Sequence, residues 1–379
     1  MLMRRLGAIS RRMNKEDARM LLFLSEVGKA AKRMLAWTLL ASKALTLCNR
    51  LVNRFQGCVD TAGKMTFPFV QKRKSHNLQI LTYHRVNAEG DPFFPALAPA
   101  VFERHMEYLA SHFHVLPLVE AVTRLQTDDV PDNAVVVTFD DGYQDNYQYA
   151  FPILQQMAIP ATIFLSTAVI GAKTVLWHDR VFSAFRETNA SVLKGYESNT
   201  VVYPLRTLAE KLAAQRAVLQ FLRLLDDFER EQWIQVLTSA LAVNDKKEEP
   251  GLMLSWEEVQ TMSRAGIDFG SHTISHPILA KLPAKKVLEE IRESRTEIEQ
   301  RLGKRVQTFA YPNGGRGDFD EFTKQVVREA GYLCAVTTVF GTNAAGSDPF
   351  ELRRGGPWEE HLPTFAMKLN WYKFASLSP

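Results

Sequence analysis

A chain of 379 residues with 46% hydrophobic and 23% charged side chains has ordinary globular composition, which excludes a disordered or fibrous protein and leaves one large α/β domain or two smaller ones. Three cysteines, Cys48, Cys58 and Cys334, cannot build a disulfide framework. The formal net charge of +4 is unevenly spread: residues 1–77 hold 16 Lys/Arg against 4 Asp/Glu, which leaves −8 for the remainder.

The basic segment contains no run of the ~18 apolar residues a spanning helix needs. Its longest candidate, Met34 to Cys48, is interrupted by Lys43, and Met20–Leu24 is too brief for a signal peptide. Residues 1–77 read as basic amphipathic helices suited to an anionic membrane face, where each Lys/Arg contributes about 1 kcal/mol. They read equally as a basic extension ahead of a later start at Met34 or Met65. No aromatic reading surface is interleaved with the basic residues, so no nucleic acid is expected. The expected location is cytoplasmic, at the inner membrane face.

After the polar break Lys72-Arg73-Lys74-Ser75 an α/β rhythm begins. Leu78–His84 is a predicted strand, Pro99–Ser111 a helix, His114–Leu116 a short strand and the stretch to Leu125 a helix. Ala134–Phe139 is a continuous β-branched run of the kind covered on both faces. A helix to Gln155 and a strand over Ala161–Ser166 follow. The rhythm breaks over 173–250, a helical insertion with a capping box at Thr207-Leu208-Ala209-Glu210 and a second helix over Asp226–Val243. Trp177-His178-Asp179 at its start reads as packing or as cleft lining. Ser255-Trp256-Glu257-Glu258 opens another helix. Then come a strand over Ile267–Ser271, a helix over Ala284–Leu302 stopped by Gly303, a strand over Val306–Ala310, a helix over Glu321–Ala330 stopped by Gly331, and a strand over Tyr332–Val339. Alternating strands and helices imply a mostly parallel sheet, open or closed, with its chemistry at the carboxyl ends of the strands.

The polar residues there form a pattern. Asp140 and Asp141 follow the apolar strand, and successive strand residues point to opposite faces, so the two acids can share a cavity only if the chain turns, which Gly142 permits. A cation would relieve their repulsion; alternatively Asp141 caps the next helix. His272 and His276, four apart and followed by Pro277, fit a loop beyond the next strand. Two imidazoles and a carboxylate suit zinc or another divalent transition metal with a vacant position for water, and the second aspartate then suits a general base. His84 ends the first strand as a candidate general acid or a hydrogen-bonded rim histidine. The turn at Tyr311-Pro312-Asn313-Gly314 offers backbone N–H groups to an oxyanion, or is simply a tight loop. Arg353 or Arg354 could pair with Asp140.

Thr138-Phe139-Asp140-Asp141-Gly142 and His272-Thr273-Ile274-Ser275-His276, in that order, resemble the polysaccharide deacetylase family with the NodB homology domain, carbohydrate esterase family 4. The resemblance covers roughly 78–355 and implies a distorted (β/α)7 barrel, with the helical insertion and the basic extension outside the usual core. It implies removal of N-acetyl groups from amino sugars, Asp140 as catalytic base, and Asp141, His272 and His276 as metal ligands. Zn2+ is the expected ion, with Co2+, Ni2+, Mn2+ and Fe2+ fitting the same ligands, and an N-acetylated glycan is the expected partner. The family's Arg-x-Pro-Tyr is replaced by Ala310-Tyr311-Pro312-Asn313, so Arg353 or Arg354 is expected to support the base. This loop, with Tyr83-His84, resembles the branch acting on poly-N-acetylglucosamine, which implies His84 as acid and Tyr311 and Asn313 at the substrate or oxyanion. Two competing readings use the same residues: an iron(II) oxygenase and a non-catalytic glycan-binding protein.

Overall fold

The computed structural model describes residues 77–194, 202–356 and 359–375, with the side chains of 371–375 left aside. The expected basic amphipathic segment, with its membrane role, lies outside the described residues except for Asn77, and so do Cys48 and Cys58. Cys334 is buried and free.

Seven parallel strands form the centre. Their order is β1 (Gln79–Tyr83), β3 (Ala134–Phe139), β4 (Ala161–Leu165), β7 (Asp268–Ser271), β8 (Thr308–Ala310), β9 (Cys334–Phe340) and β10 (Leu352–Arg354), with the short β2 (His114–Val115) paired to β3. The ring closes through one residue. Gly355, just past β10, accepts from the Thr82 N–H at 3.0 Å and donates to the Ile80 carbonyl at 2.8 Å. The result is a distorted (β/α)7 barrel.

Strand alternation explains what reaches the site. All six residues of β3 are buried. Val135, Val137 and Phe139 pack with Leu81, Tyr83, Ile163 and Phe309 beneath the surrounding helices. Val136 packs with Ile80, Phe164, Ala310, Val336 and Leu352, which fill the barrel. The interior is tight: a Cβ on Gly270 would meet the Phe164 ring and Thr308 Oγ1 at 2.5 Å. Continuing that inward set one step past each strand gives His84 after β1, Asp140 after β3 and His272 after β7, with Arg354 ending β10.

The helices are α1 (Pro99–His112), α2 (Leu118–Gln126), α3 (Phe151–Gln156), α7 (Trp256–Arg264), α8 (Ala284–Leu302) and α9 (Glu321–Glu329) around the barrel. Gly303 ends α8 at φ 63°, in the left-handed conformation that favours glycine. The helix expected straight after Gly142 opens instead with a π-helical turn over Asn146–Ala150. The insertion contains α4 (Trp177–Glu187), a hairpin of β5 (Val192–Lys194) and β6 (Val202–Pro204), α5 (Leu208–Leu222) and α6 (Asp227–Ala240) around its own apolar cluster. Capping boxes at Thr207 and Asp226 start α5 and α6. Arg180 ties α4 to the rest by pairs to Glu231 at 2.5 and 3.0 Å and to Asp245 at 2.8 and 2.6 Å. The hairpin, β10 and α10 (Leu362–Ala375) are elements that the sequence pattern does not announce. No helix of the described residues is long and apolar enough to cross a membrane.

Candidate metal and catalytic site

Asp141 should point out of the barrel by alternation, but its backbone takes φ 75° and Gly142 follows at φ 85°. The reversal swings the carboxylate back over the barrel mouth. A Cβ on Gly142 would meet Ile170 and Leu165 side chains at 2.8 and 2.9 Å, so the turn requires glycine on both counts. Asp141 Oδ1 then lies 3.5 Å from His272 Nε2 and 3.4 Å from His276 Nε2. One ligand atom from each of the three residues lies within 4.8 Å of the others.

The protonation of this trio suits a cation. His272 Nδ1 stands 2.7 Å from the Ala310 carbonyl, which can only accept, so Nδ1 carries the proton and Nε2 offers its lone pair to the cluster. Burial lowers His272 to about 4 and pushes His276 well below the ordinary histidine value, so both are neutral near pH 7. Burial, then the charges of Asp140 and Asp179, raise the Asp141 carboxyl well above the carboxylate range. Its Oδ1 is buried with no hydrogen-bond partner. A buried carboxyl oxygen set against the His272 Nε2 lone pair and, at 3.4 Å, the His276 ring nitrogen is a donor set that fits a divalent transition metal, which would displace the carboxyl proton.

Asp140 is handled differently. Arg354 Nη1 donates to its Oδ1 at 2.8 Å and Nη2 to its Oδ2 at 2.7 Å, while Arg354 Nε donates to the Thr337 carbonyl at 2.8 Å. Burial alone would raise Asp140, but Arg354 and His272 override it and hold it at about 2. Of the two arginines considered from sequence, only Arg354 reaches the acid. Arg353 points the other way on β10, is exposed, and lies against Gly341.

His84 lines the same cleft, a cavity of about 350 Å³ shared with Asp140, Asp141 and both ligand histidines. Burial lowers its pKa, with Asp140 opposing. Asn313 also lines the cleft, with φ 58° and a buried Nδ2 without a hydrogen-bond partner. Tyr311 does not reach it. Sharing Phe309's outward parity, it stacks on Phe319, donates its hydroxyl to the Phe350 carbonyl at 2.9 Å and its N–H to the Val336 carbonyl at 3.1 Å. Its expected contact with substrate is therefore corrected: both of its donors are already committed to the fold.

Two supports were not legible in sequence, and a third was marked there only as packing or cleft lining. Asp145 accepts from Arg85 Nε at 2.7 Å and from Asn87 Nδ2 at 2.9 Å, and Asn146 Nδ2 donates to the His84 carbonyl at 2.8 Å; together they fix the loop that carries His84. Glu290, on α8, accepts from the N–H groups of Ile274 and Ser275 at 2.8 and 3.0 Å and so holds the loop between the two ligand histidines. His178, from the insertion, lies in the cleft wall with Trp177 and Phe182. Only the adjacent Trp-His-Asp run offered a signal for it.

A parallel barrel with paired acids and two histidines at its carboxyl rim defines a hydrolase-type centre built on the strand ends. The chain belongs to the polysaccharide deacetylase family: the family's sequence profile matches residues 127–335, over half its length. It is a deacetylase by that membership, which leaves the oxygenase reading without support. It is 23% identical to the Bacillus subtilis (strain 168) protein YxkH over 291 residues, 76% of this chain and 74% of that one. Its fold is similar to IcaB from Ammonifex degensii, with a TM-score of 0.52, 20% identity and coverage of 78% of this chain and 97% of that one. It is also similar to the Streptococcus pyogenes deacetylase PplD, solved with acetate, with a TM-score of 0.50, 18% identity and coverage of 74% and 92%.

Proposed function

We propose that the chain hydrolyses the N-acetyl group of an amino sugar in a polysaccharide or glycan precursor, with a divalent metal, Zn2+ first among them, held by Asp141, His272 and His276. The observation that carries this reading is the partnerless Asp141 Oδ1 facing two neutral imidazoles beside an Asp140 that Arg354 keeps ionised. When bound, such a cation supplies Lewis acidity toward the amide carbonyl and lowers the pKa of a water toward about 7.

The chain's own residues then divide the proton work. Asp140 accepts a proton from the attacking water. The pairing with Arg354 keeps it ionised across the working range, though it weakens it as a base. Asn313 Nδ2 donates to the oxygen that becomes negative as the carbonyl carbon turns tetrahedral. His84, in its protonated form, delivers a proton to the departing amine, the C–N bond breaks, and acetate and the free amino sugar leave; the burial that lowers its pKa makes the charged ring a stronger acid. The fold of IcaB and the Tyr83-His84 pair support the poly-N-acetylglucosamine-like branch as the substrate class.

Acetate release from chitooligosaccharides and from poly-N-acetylglucosamine fragments tests the reading. Turnover on at least one, lost with a chelator and with His272→Ala, is expected; turnover indifferent to both contradicts it. The basic segment over 1–77 we read as a contact for anionic membrane. Sedimentation with phosphatidylglycerol vesicles at low salt, lost on deleting 1–73, is the expected result, and equal binding by the shortened chain contradicts it.

A further inference from the structure

The helical insertion supplies one side chain that touches two of the three proposed ligands. His178 lies on α4, one residue past its first position. Its Nε2 is 3.9 Å from Asp141 Oδ2, while Oδ1 is the oxygen set against the ligand histidines. Its ring meets the His276 ring edge to face, with centroids 5.1 Å apart and planes at 68°. It is not itself in the trio whose ligand atoms converge.

A short polar chain behind His178 fixes its orientation. Tyr143, two residues past Asp141, donates its hydroxyl to Asp179 Oδ1 at 2.9 Å. With Asp179 ionised the phenol's one proton goes to it, and the same oxygen then accepts from His178 Nε2–H, 3.1 Å away. Asp179 is in turn held by the Leu176 N–H on its other oxygen, at 3.2 Å. Tyr143 and Asp179 are almost wholly buried, so the chain has no water to substitute for a lost member. Nε2 thus lies 3.1 Å from the Tyr143 oxygen and 3.9 Å from Asp141 Oδ2, the longer separation being a charge contact rather than a hydrogen bond.

We propose that His178 is a positioning residue for Asp141, and that the relay from Asp179 through Tyr143 to His178 makes the insertion a determinant of metal affinity. This rests on the metal reading above. Polar and aromatic neighbours packed against a ligand carboxylate and a ligand imidazole limit their rotation and would help keep them on the ion, and such outer partners are commonly worth about 10–100-fold in affinity. The insertion would then do more than wall the cleft: displacing α4 would loosen the ion.

The test is metal binding by the full chain, read by competition with a chromophoric chelator and by the visible ligand-field bands of the Co2+ form. His178→Ala is expected to weaken binding about 10–100-fold and to shift the Co2+ bands, with one ion still bound at saturation. His178→Gln, which can return an N–H near the Nε2 position, is expected to recover most of the affinity, and Tyr143→Phe to lose part of it. Thermal unfolding of the metal-free variants separates loss of fold from loss of the ion. Unchanged affinity and an unchanged Co2+ spectrum in His178→Ala overturn the proposal and leave the proposed function standing. So does a rise in KM alone, which would make His178 a substrate contact. Absence of any stoichiometric ion in the unaltered chain overturns both.

Discussion

Arg354 closes on Asp140 with two parallel hydrogen bonds, 2.8 and 2.7 Å, across 214 residues of sequence. Both groups are almost fully buried, and the arginine is further held by the Thr337 carbonyl and Thr138 Oγ1. The last strand of the barrel is thus fastened to the third by the same contact that keeps the proposed base ionised.

Removing Arg354 should therefore harm fold and chemistry together. A buried carboxylate left without its partner costs on the order of 3–5 kcal/mol. Arg354→Ala is expected to show that loss in urea unfolding, with acetate release close to background. Arg354→Lys should rescue little, because a point charge cannot make the paired contact. Arg353→Ala, one residue away and exposed, should remain within about 0.5 kcal/mol of the unaltered chain. Equal effects of the two alanine variants would contradict the assignment.

Asp140→Asn separates base from ligand. It keeps the side chain's shape and removes the proton acceptor, so turnover should fall about 10²–10⁴-fold while metal affinity changes only a few-fold. Single-turnover acetate release and chelator competition on the same preparation check both halves. Turnover near that of the unaltered chain would exclude Asp140 as the base.

Glu290 lies outside the cleft yet should matter to it. It holds three donors of the 274–275 loop, including Ser275 Oγ at 2.7 Å. Glu290→Ala is expected to weaken metal binding about 10-fold through freedom gained at His276, with a small effect on thermal stability. Unchanged affinity would mean that the turn holds without it.

His105 gives a pH dependence away from the site. Its Nε2 donates to the Glu359 carbonyl at 2.8 Å, and its ring stacks on Phe365 of α10 at 3.8 Å. Burial lowers it from 6.5 to about 4, so the folded state holds it neutral while the unfolded chain protonates it first. Its contribution is fully present above about pH 6.5 and is lost as pH falls from there toward 4. The melting temperature of the unaltered chain should thus fall more steeply over that interval than that of His105→Gln. Parallel curves would show that His105 titrates normally.

Much of this was readable in advance, for local reasons. The β-branched run of β3, the glycine after two acids, and the capping boxes at Thr207 and Ser255 each act within a few residues. Strand parity carries His84, Asp140 and His272 to one rim. The same parity, applied to Phe309 and Tyr311, points Tyr311 outward, and its expected role at the substrate overlooked that. The choice between Arg353 and Arg354 required knowing that residues 352–354 form a strand, which three residues cannot signal. Glu290 and Asp145 act on partners 15 residues or more away in the chain and no local pattern marks them, whereas the Trp177-His178-Asp179 run marked His178 as packing or cleft lining without its partners.

The most direct test of the central claim is to strip the purified chain of metal and titrate Zn2+ back while following acetate release from an N-acetylglucosamine oligomer. Activity should be absent at the start, rise with added ion, and saturate at one ion per chain. The same titration of Asp141→Ala should stay flat. Full activity in the stripped chain, or a Zn2+ response that survives loss of Asp141, would contradict the account.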